Sequence, residues 1–306
     1  MSIHFMDLIL PIVPPVTVFF TFLTLYYFFQ NNDKAYSLII SFVFTNILFI
    51  SFNKIFLYLK IIDYYYIFII INLILIFFYL TINRIKIKND ISIIRVSFQE
   101  YKKSYFLYFF LIIFIYILIQ SIIIPPTNFD SLAYNITRNY LFIQENSIYP
   151  NNNFNYLNGL IQPLNTDLLY LIFAYLSTDY FMNIFNLLCF LIAGLVFFEL
   201  LKKFKIENNR LLYLLLFLSI SNLFLSLFNT KNDLYNATFL IINLYLLLNI
   251  IEGNKKIIPI FLISVFYASG IKWLTIFYLI PLFFITVYYS LKKKIFFEFI
   301  KYSLIL

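Results

Sequence analysis

Long apolar runs, broken by short polar stretches, set the pattern of this chain. A helix needs about 20 predominantly apolar residues to cross a bilayer. Runs of that order lie at about 8–29, 35–53, 64–82, 105–124, 180–201, 211–228, 234–251, 257–270 and 274–291. The pattern predicts nine transmembrane helices. The run at 166–177 is apolar but too short to cross, and Ser177-Thr178-Asp179 interrupts it. It is expected to form short helices lying at the membrane surface before the next span. The N-terminus, MSIHFMDLIL, has no basic region before its apolar run and no small-residue cleavage site after it, so it is expected to be a retained first span.

One polar stretch stands apart, 125–167, with ten Asn, four Pro, a single Arg (Arg138) and three acids, Asp130, Glu145 and Asp167. Irregular polar backbone is tolerated only outside the hydrocarbon or where protein or water satisfies it. A loop of this length is expected to be functional or disordered, and its aromatics, Tyr134, Tyr140, Phe142, Tyr149, Phe154 and Tyr156, argue for order.

Basic residues orient the spans. With 83–104 in the cytosol, the segments 30–34, 202–210, 252–256 and 292–294 share its side, and together these hold 16 Lys and Arg. The opposite side holds four, Lys60, Arg138, Lys231 and Lys272, while Lys54 and Lys301 are left unassigned. Cytoplasmic loops carry the excess of Lys and Arg, so 125–167 is extracytoplasmic, as are the turns at 229–233 and near 269–273. The net charge of +8 is therefore mostly a topology signal and need not mean nucleic acid.

Composition agrees and removes several chemistries. The chain is 63% hydrophobic and 12% charged, where a soluble domain is nearer 25% charged. It has one His, His4, and one Cys, Cys189, which argues against Ser–His–Asp and Cys–His catalysis and a His/Cys zinc site. Its four Gly are far apart, so no phosphate-binding glycine loop or dinucleotide fingerprint can be built.

Three segments on one side carry the candidate chemistry: Asp130 and Arg138 in the long loop, Lys231, Asn232 and Asp233 in NTKND, and Lys272 beside Trp273, the only Trp. An Asp just past a span could act as a general base on an acceptor hydroxyl. Lys and Arg at the same level could hold a phosphate. Asp130 and Asp233 could share a divalent metal ion through oxygen ligands. Each also has a plain reading: a solvated turn acid, or a cation that anchors the chain at the interface.

The succession FDSLAYNITRNYLFIQENSIYP, QPLNTD, TKNDLYNATFL and SGIKWLT resembles the lipid-dependent GT-C glycosyltransferases, in particular bacterial members related to protein O-mannosyltransferases and aminoarabinose transferases. Asp130, Tyr134, Arg138, Gln162-Pro163, Asp167, Asn232-Asp233 and Lys272 stand in the family's order, over about 125–294. The resemblance implies an all-α polytopic fold with an N-terminal portion at 1–104 and a GT-C-like core at 105–306, its long extracytoplasmic loop carrying short surface helices. It further implies inverting transfer of a sugar from a polyprenyl-phosphate donor to a lipid, glycan or protein acceptor outside a bacterial inner membrane. On that reading Asp130 and Asp233 are catalytic or hold a metal, and Arg138, Lys231 and Lys272 meet the donor phosphate. Tyr134, Gln162, Asp167 and Asn232 then line the substrate cavity.

Three alternatives stand beside it. A transporter or flippase of lipid-linked glycans predicts charges at the midplane of several spans. A polymerase of lipid-linked glycans predicts Arg-rich outer loops, and this loop holds one Arg. An inactive, truncated fragment is the third.

Overall fold

The computed structural model describes residues 10–30, 33–84, 86–88, 90, 105–126, 131–149, 163–178, 181–206, 208–230, 232–293 and 296–305. Among them every regular element is helical. The long helices are α1 (Val13–Phe28), α2 (Lys34–Tyr58), α3 (Tyr65–Ile82) and α4 (Tyr105–Ile123). A π-helical turn, Ser131–Ile136, leads into α5 (Thr137–Gln144), followed by the short α6 (Asn165–Leu169) and α7 (Leu171–Tyr175). Then come α8 (Ile184–Lys203), α9 (Arg210–Leu218), α10 (Ser221–Leu225), α11 (Asp233–Ile251), α12 (Ile258–Ser269), α13 (Trp273–Lys292) and α14 (Phe296–Ile305).

Local chemistry explains the helix ends. Pro14 and Pro15 fall in the first turn of α1, where a missing N–H costs nothing. Asp33 caps α2 by accepting from the Tyr36 amide at 3.0 Å. Within α2, Ser37, Ser41 and Thr45 each donate to the carbonyl four residues back. Their hydroxyls thereby stay satisfied away from water. Lys202 and Lys203 close α8 at its negative dipole end.

Among the described residues, six helices are long and apolar enough to cross a membrane: Leu10–Phe28, Lys34–Tyr58, Ile62–Ile82, Ile184–Lys203, Asp233–Ile251 and Trp273–Lys292. The pair α9 and Ser221–Phe228, bent by 59°, makes a seventh if it is one broken span. The chain is thus an all-α polytopic membrane protein by the length and composition of its helices. Of the nine expected, six or seven are found among the described residues. Of the other two runs, that at 105–124 forms α4, 19 residues long, and that at 257–270 forms α12, with 12 residues. Twelve residues rise about 18 Å, well short of a hydrocarbon core of about 30 Å.

The helix α8 packs on α2 and α11, and α11 also meets α12 and α13. One apolar core reaches from Val18 to Phe299. The outermost spans, Ile62–Ile82 and Trp273–Lys292, are only 22% buried. Their exposed side chains include Ile70, Leu75, Phe77 and Phe284, the surface expected to face lipid.

The short helices α6 and α7, expected at the membrane surface, are enclosed by the rest of the protein. Leu168 to Phe173 are wholly buried, with α6 packed on α2 and α7 packed on α5. The sequence LLYLIF is apolar on every side of a helix, and such a helix is stable only when enclosed. Because it is too short to cross, it ends inside the protein.

Hydrogen bonds between distant loop ends sort into two sets. At one end, which we call the cap, Asn146 donates to Lys60 O (2.7 Å), Tyr175 to Asp63 O (3.3 Å) and Asn183 to Ile124 O (2.9 Å). At the other, Gln30 and Lys34 meet Asp90, Lys203 meets Glu252 at 2.6 Å, and Lys255 meets Glu298 at 3.8 Å. Apart from Glu298, which follows the assigned segment 292–294, each contact joins segments on the same side by the charge count.

Candidate functional site

The cap is built around α6. Five residues of helix leave nearly all their terminal N–H and C=O groups without intrahelical partners, and distant side chains supply them. Asn53 of α2 donates to Leu168 O at 2.5 Å and is itself held by the Tyr65 hydroxyl at 2.6 Å. Asn139 of α5 donates to Asp167 O at 2.8 Å. The Asn165 amide nitrogen donates to Gly270 O at 3.2 Å, and its side chain donates to Tyr267 O at 3.0 Å.

The same helix ties the remaining segments together. Thr166 donates to Asn232 Oδ1 at 2.5 Å, and Asn232 donates to Ile271 O at 3.0 Å. Asn135 donates to Thr230 O at 2.6 Å. Tyr170 donates to Asn186, whose amide reaches Asn229 O. Segments near 53, 135, 166, 186, 230 and 270 thus meet in one hydrogen-bonded layer. Each bond is worth about 0.5–1.5 kcal/mol net, and each buried group left unpaired would cost about 1–3 kcal/mol.

Two ion pairs sit in this layer, and they differ in kind. Arg138 Nη1 meets Asp167 Oδ2 at 2.5 Å, with both side chains enclosed (0% and 1% exposed). Burial pushes the Asp167 carboxyl up to about 7, against the downward pull of the Arg138 guanidinium. Its second oxygen, Oδ1, has no hydrogen-bond partner among the described residues. Asp233, in the first turn of α11, meets Lys272 at 2.6 Å, and both are about half exposed. Such an exposed pair contributes about 0–1 kcal/mol, so its charges remain open to a ligand.

Of the residues singled out in the sequence, the structure joins Arg138 to Asp167, Asp233 to Lys272, and Asn232 to the backbone of 271. It does not join the two ion pairs directly; Thr166 and Asn232 lie between them in the hydrogen-bond chain. Asp130, Lys231 and Gln162 lie outside the described residues, and Tyr134 is described only by its backbone in the π-helical turn. The shared metal at Asp130 and Asp233 therefore lies half outside them, and among the described residues no group of three His, Cys, Asp or Glu is placed to hold a metal ion.

Sequence reading missed Asn53, Lys54, Asn135, Asn139, Asn165 and Asn186. For Asn53, Lys54 and Asn186 the usable signal was position, since an Asn or Lys embedded in an apolar run must find a partner; Asn135, Asn139 and Asn165 stand in the polar stretch, which gives no such signal. Lys54, near the end of α2, donates to Asn165 Oδ1 at 2.9 Å and lines a cavity of about 530 Å³. No protein-family model matches this chain, and neither do any curated protein or solved structure.

Proposed function

We propose that this chain is an integral-membrane glycosyltransferase that moves a sugar from a polyprenyl-phosphate donor to an acceptor on the extracytoplasmic side of a bacterial inner membrane. In that reaction the acceptor oxygen bonds to the anomeric carbon, an aspartate takes its proton, and the polyprenyl phosphate leaves. Asp130 is assigned as the base. Arg138 and Asp167 form the rigid floor of the site, and Asp233 with Lys272 provides accessible charge at its rim, where the donor phosphate would meet Lys272.

The observation that carries this reading is the convergence on α6. The segments that resemble the glycosyltransferases are scattered between 129 and 275, yet Asn135, Thr166, Asn232 and Ile271 are bonded into one layer. A shared site needs that convergence. The charge pattern also favours an enzyme over a transporter. Among the described residues, the long spans carry Asp, Glu, Lys and Arg only toward their ends, whereas a transporter coordinates its substrate near the midplane.

The donor class is tested with purified protein and two labelled donors, a polyprenyl-phosphate sugar and a nucleotide sugar. Label leaving the lipid donor, with free polyprenyl phosphate formed, is the expected result. Transfer from the nucleotide sugar alone would overturn the assignment.

A further inference from the structure

The cavity at the cap end of α2 has a composition that defines its ligand. Its walls include Tyr58, Leu59, Ile148, Tyr149 and Leu164, and among the described residues its charged group is Lys54. An ammonium has three N–H donors, and Asn165, a neutral amide, takes one of them. Among the described residues no carboxylate lies within ion-pair distance of Lys54. In that it differs from Lys34, Lys202, Lys203, Lys255 and Lys272, each of which meets an acid.

Depth in the membrane adds the second constraint. Lys54 follows Lys34 by 20 residues of one continuous helix, about 30 Å of rise, which matches the thickness of a hydrocarbon core. With Lys34 at one boundary, Lys54 stands at the other. Tyr58 and Leu59, just beyond it, are exposed. A cation at the interface with apolar and aromatic walls suits a ligand that is anionic at one end and aliphatic at the other.

We infer that this cavity binds a phosphate-bearing amphiphile, with Lys54 Nζ on the phosphate and the first methylenes against Ile148, Leu164 and Leu59. A phosphate suits a point-charge ammonium, and the aliphatic chain leaves toward the lipid. Of the described charges assigned to sugar transfer, Arg138, Asp167, Asp233 and Lys272, none lines this cavity, so failure here would leave the donor experiment to be judged on its own.

The test uses the parent protein in a nonionic steroid-based detergent and reads acylation of individual lysines by mass spectrometry. The exposed Lys60 serves as internal reference. Dodecyl phosphate at about ten times its Kd is expected to slow acylation of Lys54 about tenfold, leaving Lys60 unchanged. Inorganic phosphate and dodecyl maltoside at the same concentration are expected to leave the acylation of both lysines unchanged. Equal protection by inorganic phosphate would mean a bare anion site, and equal protection by the maltoside a merely apolar one. Either result, or no protection at all, overturns the inference. In parallel, dodecyl phosphate should raise the unfolding midpoint of the parent and of Lys54→Arg but not of Lys54→Gln. If Lys54→Gln does not fold, the labelling of the parent decides.

Discussion

Gly270 is the most sensitive small residue in the cap, and replacing it by Ala tests the architecture. Its φ of −88° and ψ of 3° are open to an L side chain. In open space, Gly→Ala at such a position would stabilise by about 0.4–1 kcal/mol through the unfolded chain. Here a Cβ would stand 2.3 Å from Asn165 Nδ2 and 2.8 Å from Asn165 Cγ. The amide must move, releasing its bonds to Tyr267 O and to Lys54. Losing two hydrogen bonds and stranding one buried carbonyl costs about 2–4 kcal/mol, on the order of 3–6 °C in Tm for a chain of this size. The assay is thermal unfolding in detergent of Gly270→Ala, Asn165→Ala and the double variant. Asn165→Ala is itself destabilising, but adding Gly270→Ala to it should cost almost nothing, because the clashing amide is gone. A Gly270→Ala single variant as stable as the parent, or more so, would refute the packing of α6 against the 267–271 turn.

Two further outcomes follow from the same layer. The folded-state pKa of Asp167 is raised from 3.8 to about 7, so the fold favours the protonated acid. Its contribution to stability is full below about pH 4 and is lost as pH rises through about 7. The unfolding midpoint of the parent should therefore fall over that window more steeply than that of Asp167→Asn, and identical pH profiles would contradict the burial of this acid. The second outcome concerns sidedness. Cysteines placed at Tyr149 and Lys88, both exposed, should differ toward an impermeant thiol reagent in intact cells, with 149 labelled and 88 protected. The native Cys189 is buried and gives little background. Labelling at 88 but not at 149 would invert the topology.

The spans were legible because their signal is coarse: about 20 apolar residues, ended by charge. So was the sorting of loop ends into two sets, since Lys34 and Lys203 meet acids on segments assigned to their own side. The enclosure of α6 and α7 was not legible. A ten-residue apolar run fits a surface helix and a buried plug equally well, and what decides is whether side chains elsewhere can satisfy its backbone. Those side chains, Asn53, Asn139 and Asn165, belong to a residue type so abundant in this chain that no single one stood out. Arg138 and Asp167 were both singled out, but as separate contributors to a substrate site. Only the fold shows them closed on each other, because nothing in a sequence names the partner of a charge 29 residues away.

The most direct measurement is transfer of sugar from a polyprenyl-phosphate donor by Asp130→Asn, which keeps the shape of the residue and removes its charge. Loss of a general base costs roughly 10²–10⁴ in rate, while a loop acid usually contributes within about 0.5 kcal/mol to stability. Normal expression and membrane insertion with transfer lost is the expected result. Glu145→Gln, in the same loop, serves as the active control. Transfer by Asp130→Asn at the parent rate under identical conditions would contradict the proposed chemistry.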